Sequence, residues 1–225
     1  MNVTIYDQLE QGTPEWLEAR RGIITASVIG RLITPTLKTA NNDTSRGIIH
    51  TLAAERITGH VEYVHPSFDM QRGTDDEPHA RDAYAEHHAP VQEVGFIRLD
   101  GDGYSIGYSP DGLVGDDGLI EIKSRKPKVH IQTILDGAPP AETMAQLQTG
   151  LLVTGRKWID YVSFCQGMPL YVCRITPDEV WHAAIRQAAT DFETNVNNVV
   201  NHYNARTNGL PVMERRPDLI DTITF

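Results

Sequence analysis

The segment Tyr104-Ser105-Ile106-Gly107-Tyr108-Ser109-Pro110-Asp111-Gly112-Leu113-Val114-Gly115-Asp116-Asp117-Gly118-Leu119-Ile120-Glu121-Ile122-Lys123 decides how this chain folds. Two short apolar runs flank Gly115-Asp116-Asp117-Gly118, a cluster of turn formers, and the pattern predicts a β-hairpin. Folding back at that turn brings Asp111 towards Glu121. Side chains alternate across a strand, so Glu121 and Lys123 share one face while Ile120 and Ile122 point into a core. Two carboxylates and an ammonium then converge at one end of the hairpin.

Carboxylates set against an apolar sheet need a cation. A few hard oxygen ligands, with room left for water and phosphate, suit Mg²⁺ or Mn²⁺, as one ion or two. A lysine two residues beyond the second carboxylate reaches the attacking water or the scissile phosphate, which is the equipment of phosphodiester hydrolysis. Taken singly, each residue reads as a solvated charge at a hairpin mouth. The combination of Ser-Pro-Asp-Gly-Leu with apolar-Glu-apolar-Lys is what separates a site from a surface.

Working outward, Thr13-Pro14-Glu15-Trp16 opens a helix running to about Arg20, with Thr13 as N-cap and Pro14 at the first helical position. Thr25-Ala26-Ser27 starts a second helix reaching Ile33, so Ser27 lies near a helix N-terminus with Arg20 just upstream. That pair reads either as a phosphate pocket or as an N-cap beside a surface arginine. Ser45 to Thr58 is a third helix, closed by Gly59, and His60 to Met70 reads as irregular. Thr74-Asp75-Asp76-Glu77 matches a capping box and predicts a helix from there to about His88, although Pro78 shifts its start. Glu77 reads either as a cap paired with Arg81 or as a carboxylate aimed at the metal.

Val91 to Leu99 alternates as a strand. Ser124-Arg125-Lys126-Pro127-Lys128 leaves the second hairpin strand as a basic exit, in which Arg125, Lys126 and Lys128 are candidates for DNA backbone contacts. Glu142 to Val153 is a helix with Gln146 off its apolar stripe. Trp158–Cys165 and Leu170–Ile175 are strands. Thr176-Pro177-Asp178-Glu179 starts a last helix to about Tyr203, with Thr176 as N-cap. The tail from Asn208 reads as extended or disordered.

Four blocks of sequence together resemble the phage lambda exonuclease (YqaJ-type) family of the PD-(D/E)xK nuclease superfamily, over roughly residues 8 to 175. They are Gln11-Gly12-Thr13-Pro14-Glu15-Trp16-Leu17, Arg20-Arg21-Gly22-Ile23-Ile24-Thr25-Ala26-Ser27, the hairpin motif, and Met144-Ala145-Gln146-Leu147-Gln148. The resemblance implies an α/β (α+β) fold with a restriction-endonuclease-like core, a central mixed β-sheet flanked by helices. It implies a metal-dependent exodeoxyribonuclease that digests one strand of linear double-stranded DNA 5′→3′ to mononucleotides. It implies Asp111, Glu121, the Ile122 carbonyl and Glu77 on Mg²⁺, Lys123 and Gln146 in catalysis, and Arg20 with Ser27 on the 5′-phosphate. It also implies a ring-shaped homotrimer working beside a single-strand annealing protein. Two alternatives stand beside it: another endonuclease or repair nuclease on the same core, and a DNA-binding module without catalysis.

Composition bounds the rest. The 225 residues, 40% hydrophobic and 22% charged, fit one soluble nuclease domain spanning 1–225, with a core of about 8–205 and a tail of 206–225. The formal net charge of −10 argues against a DNA clamp built on charge alone. The basic residues instead cluster at Arg20-Arg21, Lys123 to Lys128 and Arg156-Lys157, which fits an acidic exterior around a basic lining. Two cysteines, Cys165 and Cys173, read as free thiols of a cytoplasmic protein. No apolar leader or membrane span is expected.

Overall fold

The computed structural model describes residues 1–62 and 64–215. Its strands form two four-stranded mixed sheets flanked by helices, which is the expected α/β class with two sheets in place of one central sheet. In the first sheet β1 (Asn2–Tyr6), β3 (Phe96–Asp100), β4 (Ser105–Tyr108) and β2 (Ile24–Thr25) lie in the order β1-β3-β4-β2. Only the β2–β4 pair is parallel. The second sheet runs β5-β6-β7-β8, from β5 (Gly112–Val114), β6 (Gly118–Ser124), β7 (Trp158–Phe164) and β8 (Tyr171–Ile175). Here β6 and β7 are parallel and the outer pairs antiparallel.

The predicted hairpin exists, as β5 and β6 around the turn at 115–117. Its first strand is broken, however. Residues 109–111 leave the first sheet and the chain enters the second at Gly112, so β4 and β5 belong to different sheets. Pro110 has no N–H for a ladder and cannot sit inside a continuous strand. The break is pinned from the N-terminal motif: Gln11 Nε2 donates to the Pro110 carbonyl at 3.1 Å, and Trp16 Nε1 donates to Ser109 Oγ at 2.9 Å.

Helix α1 (Pro14–Arg20) is capped by Thr13, as its sequence predicts. Helix α2 is only Ala26–Ile29, followed by a 3₁₀ turn at Gly30–Leu32. Helix α3 (Asp43–Thr58) opens on an Asn42/Ser45 capping box and closes on Gly59 at φ 65°. Helix α4 (Phe68–His87) corrects the expected start at Thr74. Ser67 is the N-cap, and Pro78 lies in the interior of the helix, so Glu77 is mid-helix rather than in a first turn. The irregular stretch expected to reach Met70 ends three residues earlier, at Ser67, for the same reason.

Other expectations also move. The strand predicted over 91–99 is Phe96–Asp100, and of the preceding residues Gln92 makes one bridge to Leu113. Strand β1 and helix α5 (Pro127–Asp136) carry no prediction; α5 begins on Pro127 at a favoured first-turn position, directly after the basic exit. Asp178, not Thr176, caps the last helix, with its carboxylate on the N–H groups of Val180 and Trp181. That helix, α7 (Glu179–Thr207), runs further than expected despite its asparagines. Both cysteines are free. The tail beyond Arg215 lies outside the described residues. Among the described residues, no helix is long and apolar enough to cross a membrane.

The core explains the site. Strand β6 is buried on both faces, because α4 packs on one and α6 (Met144–Thr154) on the other. Ile120 and Ile122 enter a small cluster with Ala80, Tyr84 and Val162. Leu119, on the opposite face, joins the main core with Tyr108, Leu147 and Tyr161. Glu121 shares the face of Leu119 and is 1% exposed. A carboxylate so buried must be met by internal donors.

Candidate active site

Three donors meet Glu121. Its Oε1 accepts from Lys123 Nζ at 2.7 Å and from Gln146 Nε2 at 2.5 Å, and its Oε2 accepts from the Tyr108 hydroxyl at 3.1 Å. Each donor comes from a different source: the same strand two residues on, the first turn of α6, and the end of β4. Asp111, at the break between the sheets, turns its Oδ2 onto the Ile122 N–H at 2.6 Å. Asp111, Glu121, Lys123 and Gln146, read from the sequence as candidates, are thus brought together. Ile122 contributes its amide. Tyr108 escaped the sequence reading, although the alternation Ile106, Tyr108 within the quoted segment places it on the buried face.

The electrostatics follow from crowding. Burial, then the charge of Glu121, hold the Asp111 carboxyl well above the usual carboxylate range, with Lys123 pulling the other way. Burial opposes the charge on Lys123, but Glu121 and Asp111 outweigh it and keep the ammonium above its ordinary value. Burial and the same two carboxylates push the Tyr108 phenol well up, so it remains a donor.

Glu77 has the Arg81 partner expected of it but caps nothing, since it lies mid-helix. Its carboxylate is paired with Arg81, one helical turn on. It also feels Glu121 and Lys123, and burial, partly offset by Arg81, raises its carboxyl. Arg81 is the second residue that sequence reading missed as a site component. It bonds Glu93 at 2.8 Å and, through Nε, the Asp111 carbonyl at 2.9 Å, and so ties α4 to the break that carries Asp111. Glu77, Arg81, Asp111 and Trp16 line one cavity of about 470 Å³.

Among the described residues, no three His, Cys, Asp or Glu side chains converge in metal-ligand geometry. The physical reason lies in the bonds above: Glu77 is held by Arg81, and Glu121 by Lys123, Gln146 and Tyr108. The donor set is nevertheless hard carboxylate oxygen, and three carboxylates outnumber the ammonium among them. A small divalent cation suits such a set and would relieve the repulsion that adds to burial in raising Asp111.

Arg20 lies next door. Its guanidinium stacks on Trp16, 3.7 Å from the ring centroid, and Trp16 lines both the cavity above and a second one of about 400 Å³ containing Arg20, Thr25, Arg31 and Glu55. Burial lowers the Arg20 pKa to about 10, with Glu55 opposing. Ser27 is exposed, and its hydroxyl lies 3.2 Å from that of Thr25. The basic exit divides. Lys126 pairs with Asp69 at 3.0 Å and Lys128 is exposed. Arg125 gives Nε to the Tyr161 hydroxyl at 3.1 Å while its Nη2 is buried without an acceptor.

Against known proteins, the YqaJ-like viral recombinase domain model matches residues 15–157. The structure is similar to an alkaline exonuclease (LHK-Exo) from Laribacter hongkongensis, with a TM-score of 0.78 and 35% identity over 88% of this chain and 100% of that one. The same exonuclease in complex with dAMP matches equally well. A phage-related exonuclease from Haemophilus somnus 129PT shares the fold at a TM-score of 0.61 and 11% identity, over 80% of this chain and 96% of that one. No curated protein matches.

Proposed function

The chain belongs to the YqaJ-like viral recombinase domain family, and from that premise we propose that it is a metal-dependent exodeoxyribonuclease digesting one strand of linear duplex DNA 5′→3′. The products are mononucleotides and a 3′ single-stranded overhang suited to phage-type recombination. The observation that carries this reading is the cluster at the sheet break: Asp111 on the Ile122 amide, and Glu121 held by Lys123, Gln146 and Tyr108. That a related exonuclease has been solved with dAMP supports mononucleotide release.

Mg²⁺, with Mn²⁺ as a substitute, fits Asp111, Glu121, Glu77 and the Ile122 carbonyl, and when bound supplies the positive charge that polarises a phosphodiester and acidifies the attacking water. The protein side of the reaction follows from the bonds. Lys123 enters charged, because two carboxylates hold its proton. It therefore acts as a donor to the phosphate and its developing negative charge rather than as a base. Gln146 and Tyr108 fix both oxygens of Glu121, so the carboxylate is preorganised before substrate arrives. Arg81 holds the Asp111 carbonyl and Glu77 in place. Arg125, with one N–H lacking an acceptor, is suited to a backbone phosphate. Arg20, one cavity away across Trp16, receives the terminal 5′-phosphate together with Ser27, whose hydroxyl meets that of Thr25 on the cavity wall, and this sets the register for the cut. The same reading carries a ring-shaped homotrimer around the duplex and a single-strand annealing protein as partner.

Incubation with linear and with covalently closed circular duplex of one sequence, with and without Mg²⁺, tests the proposal. The linear form should be degraded only with metal and the circle should survive; Asp111→Asn should be inactive on both. Cutting of the circle would mark an endonuclease instead, and full activity of Asp111→Asn would remove the site assignment.

A further inference from the structure

The turn that carries Arg20 is gripped by a single helix. Gly22 sits at φ 65° and ends this corner of the chain. Its N–H donates to Glu55 Oε2 at 2.6 Å, and its carbonyl accepts from Arg56 Nε at 2.8 Å. Adjacent residues of α3 thus hold both backbone polar groups of one residue. Arg56 is itself fixed by two bonds to Glu193 of α7, at 2.8 and 2.7 Å. The starting point of the Arg20 side chain is set from α3, braced by α7.

Glu55 has a second relation to Arg20. Both line the same 400 Å³ cavity, where each acts on the other's charge. Arg20 has an aromatic partner but, among the described residues, no carboxylate in an ion pair with it. A half-buried carboxylate inside a cavity meant for an anion works against that anion. An enzyme that removes nucleotides one at a time must release the strand end after every cut. Binding the end equally tightly at every stage would not speed the chemistry.

Resting on the reading that this cavity takes the 5′-phosphate, we propose that Glu55 is the positioning and affinity-limiting residue of the pocket. It holds the Arg20 turn through Gly22, and its negative charge keeps the terminal phosphate monoester from binding too tightly to release. Glutamine at position 55 retains an acceptor for the Gly22 N–H and removes the charge; alanine removes both.

The test measures affinity of the full-length protein in chelator for matched duplexes with 5′-phosphate and 5′-hydroxyl ends. In Glu55→Gln the phosphorylated end should bind about tenfold more tightly, the scale of one partly screened charge a few ångströms away. The hydroxyl end should change little, and with Mg²⁺ turnover on the phosphorylated duplex should slow. Glu55→Ala should bind the phosphorylated end more weakly than Glu55→Gln, because the Arg20 turn is released. An unchanged or weaker phosphorylated complex in Glu55→Gln, or equal tightening at both ends, overturns the charge role. Equal behaviour of the two variants overturns the positioning role. A wild type blind to the 5′-phosphate sinks the pocket assignment itself, and this inference with it; a wild type that prefers phosphate but is insensitive to Glu55→Gln sinks only the inference.

Discussion

Glu121 combines near-complete burial with three internal donors, and this decides how its neighbours behave. With Gln146 and Tyr108 already on its oxygens, Lys123 is the donor with freedom to shift towards a substrate phosphate; its side chain keeps 27% exposure against 1% for Glu121. Lys123→Ala should therefore slow single-turnover cleavage by roughly 10² or more, the cost of removing one preorganised donor at a centre of developing charge. Glu121 would keep two donors, so the fold should survive. Unfolding of Lys123→Ala, or a rate within a few-fold of wild type, would show that the ammonium balances the buried carboxylate and nothing more.

At the scale of an element, α4 is the most informative. The helix passes through Pro78, which has no N–H for the Thr74 carbonyl, and such an interior proline costs on the order of 3 kcal/mol. The same residue lines the cavity beside Glu77 and Asp111. Strain retained beside reacting groups is what a functional site tolerates. Pro78→Ala should raise the urea unfolding free energy by about 1–3 kcal/mol and lower nuclease activity by letting Glu77 and Arg81 relax. Equilibrium urea denaturation alongside the cleavage assay decides it; a loss of stability would mean that the proline ring packs better than any added hydrogen bond.

For the molecule as a whole, the governing quantity is surplus negative charge. The chain carries a net −10, and part of that surplus is concentrated around Asp111, Glu121 and Glu77, where burial first and the neighbouring carboxylates second raise the carboxyl groups of Asp111 and Glu77. A cation that binds only the folded state stabilises it by mass action, about 2.7 kcal/mol at a hundredfold excess over Kd. Melting temperature should climb with Mg²⁺ or Mn²⁺ concentration, and Glu121→Gln should abolish most of the climb. Differential scanning calorimetry across a metal titration measures it, and an identical rise in the variant would place the cation elsewhere.

Local chemistry made much of this protein legible in its residues. Thr13 before Pro14 and Gly59 after Thr58 mark helix ends through capping that needs no distant partner. The turn formers at 115–118 bring Asp111 and Glu121 together, and strand alternation separates Glu121 from Ile120. The long-range arrangement was decided by packing. Thr74 and Thr176 have good local capping sequences, yet Ser67 and Asp178 cap the helices, Ser67 on the Met70 N–H and Asp178 on those of Val180 and Trp181. For Arg81 and Tyr108 the local sequence shows a helical pair with Glu77 and a buried strand face but not a place in the site, and nothing near Glu55 marks it. Each gains its role from a partner distant in sequence: the Asp111 carbonyl, the Glu121 carboxylate, the Gly22 amide. The sequence by itself determined which chemical groups are present and which turn joins them. The division of the strands into two sheets, the burial of Glu121 and the grip on Arg20 were decided only by the tertiary structure, because hydrogen bonds across 13 to 33 residues form only after the core has closed around them.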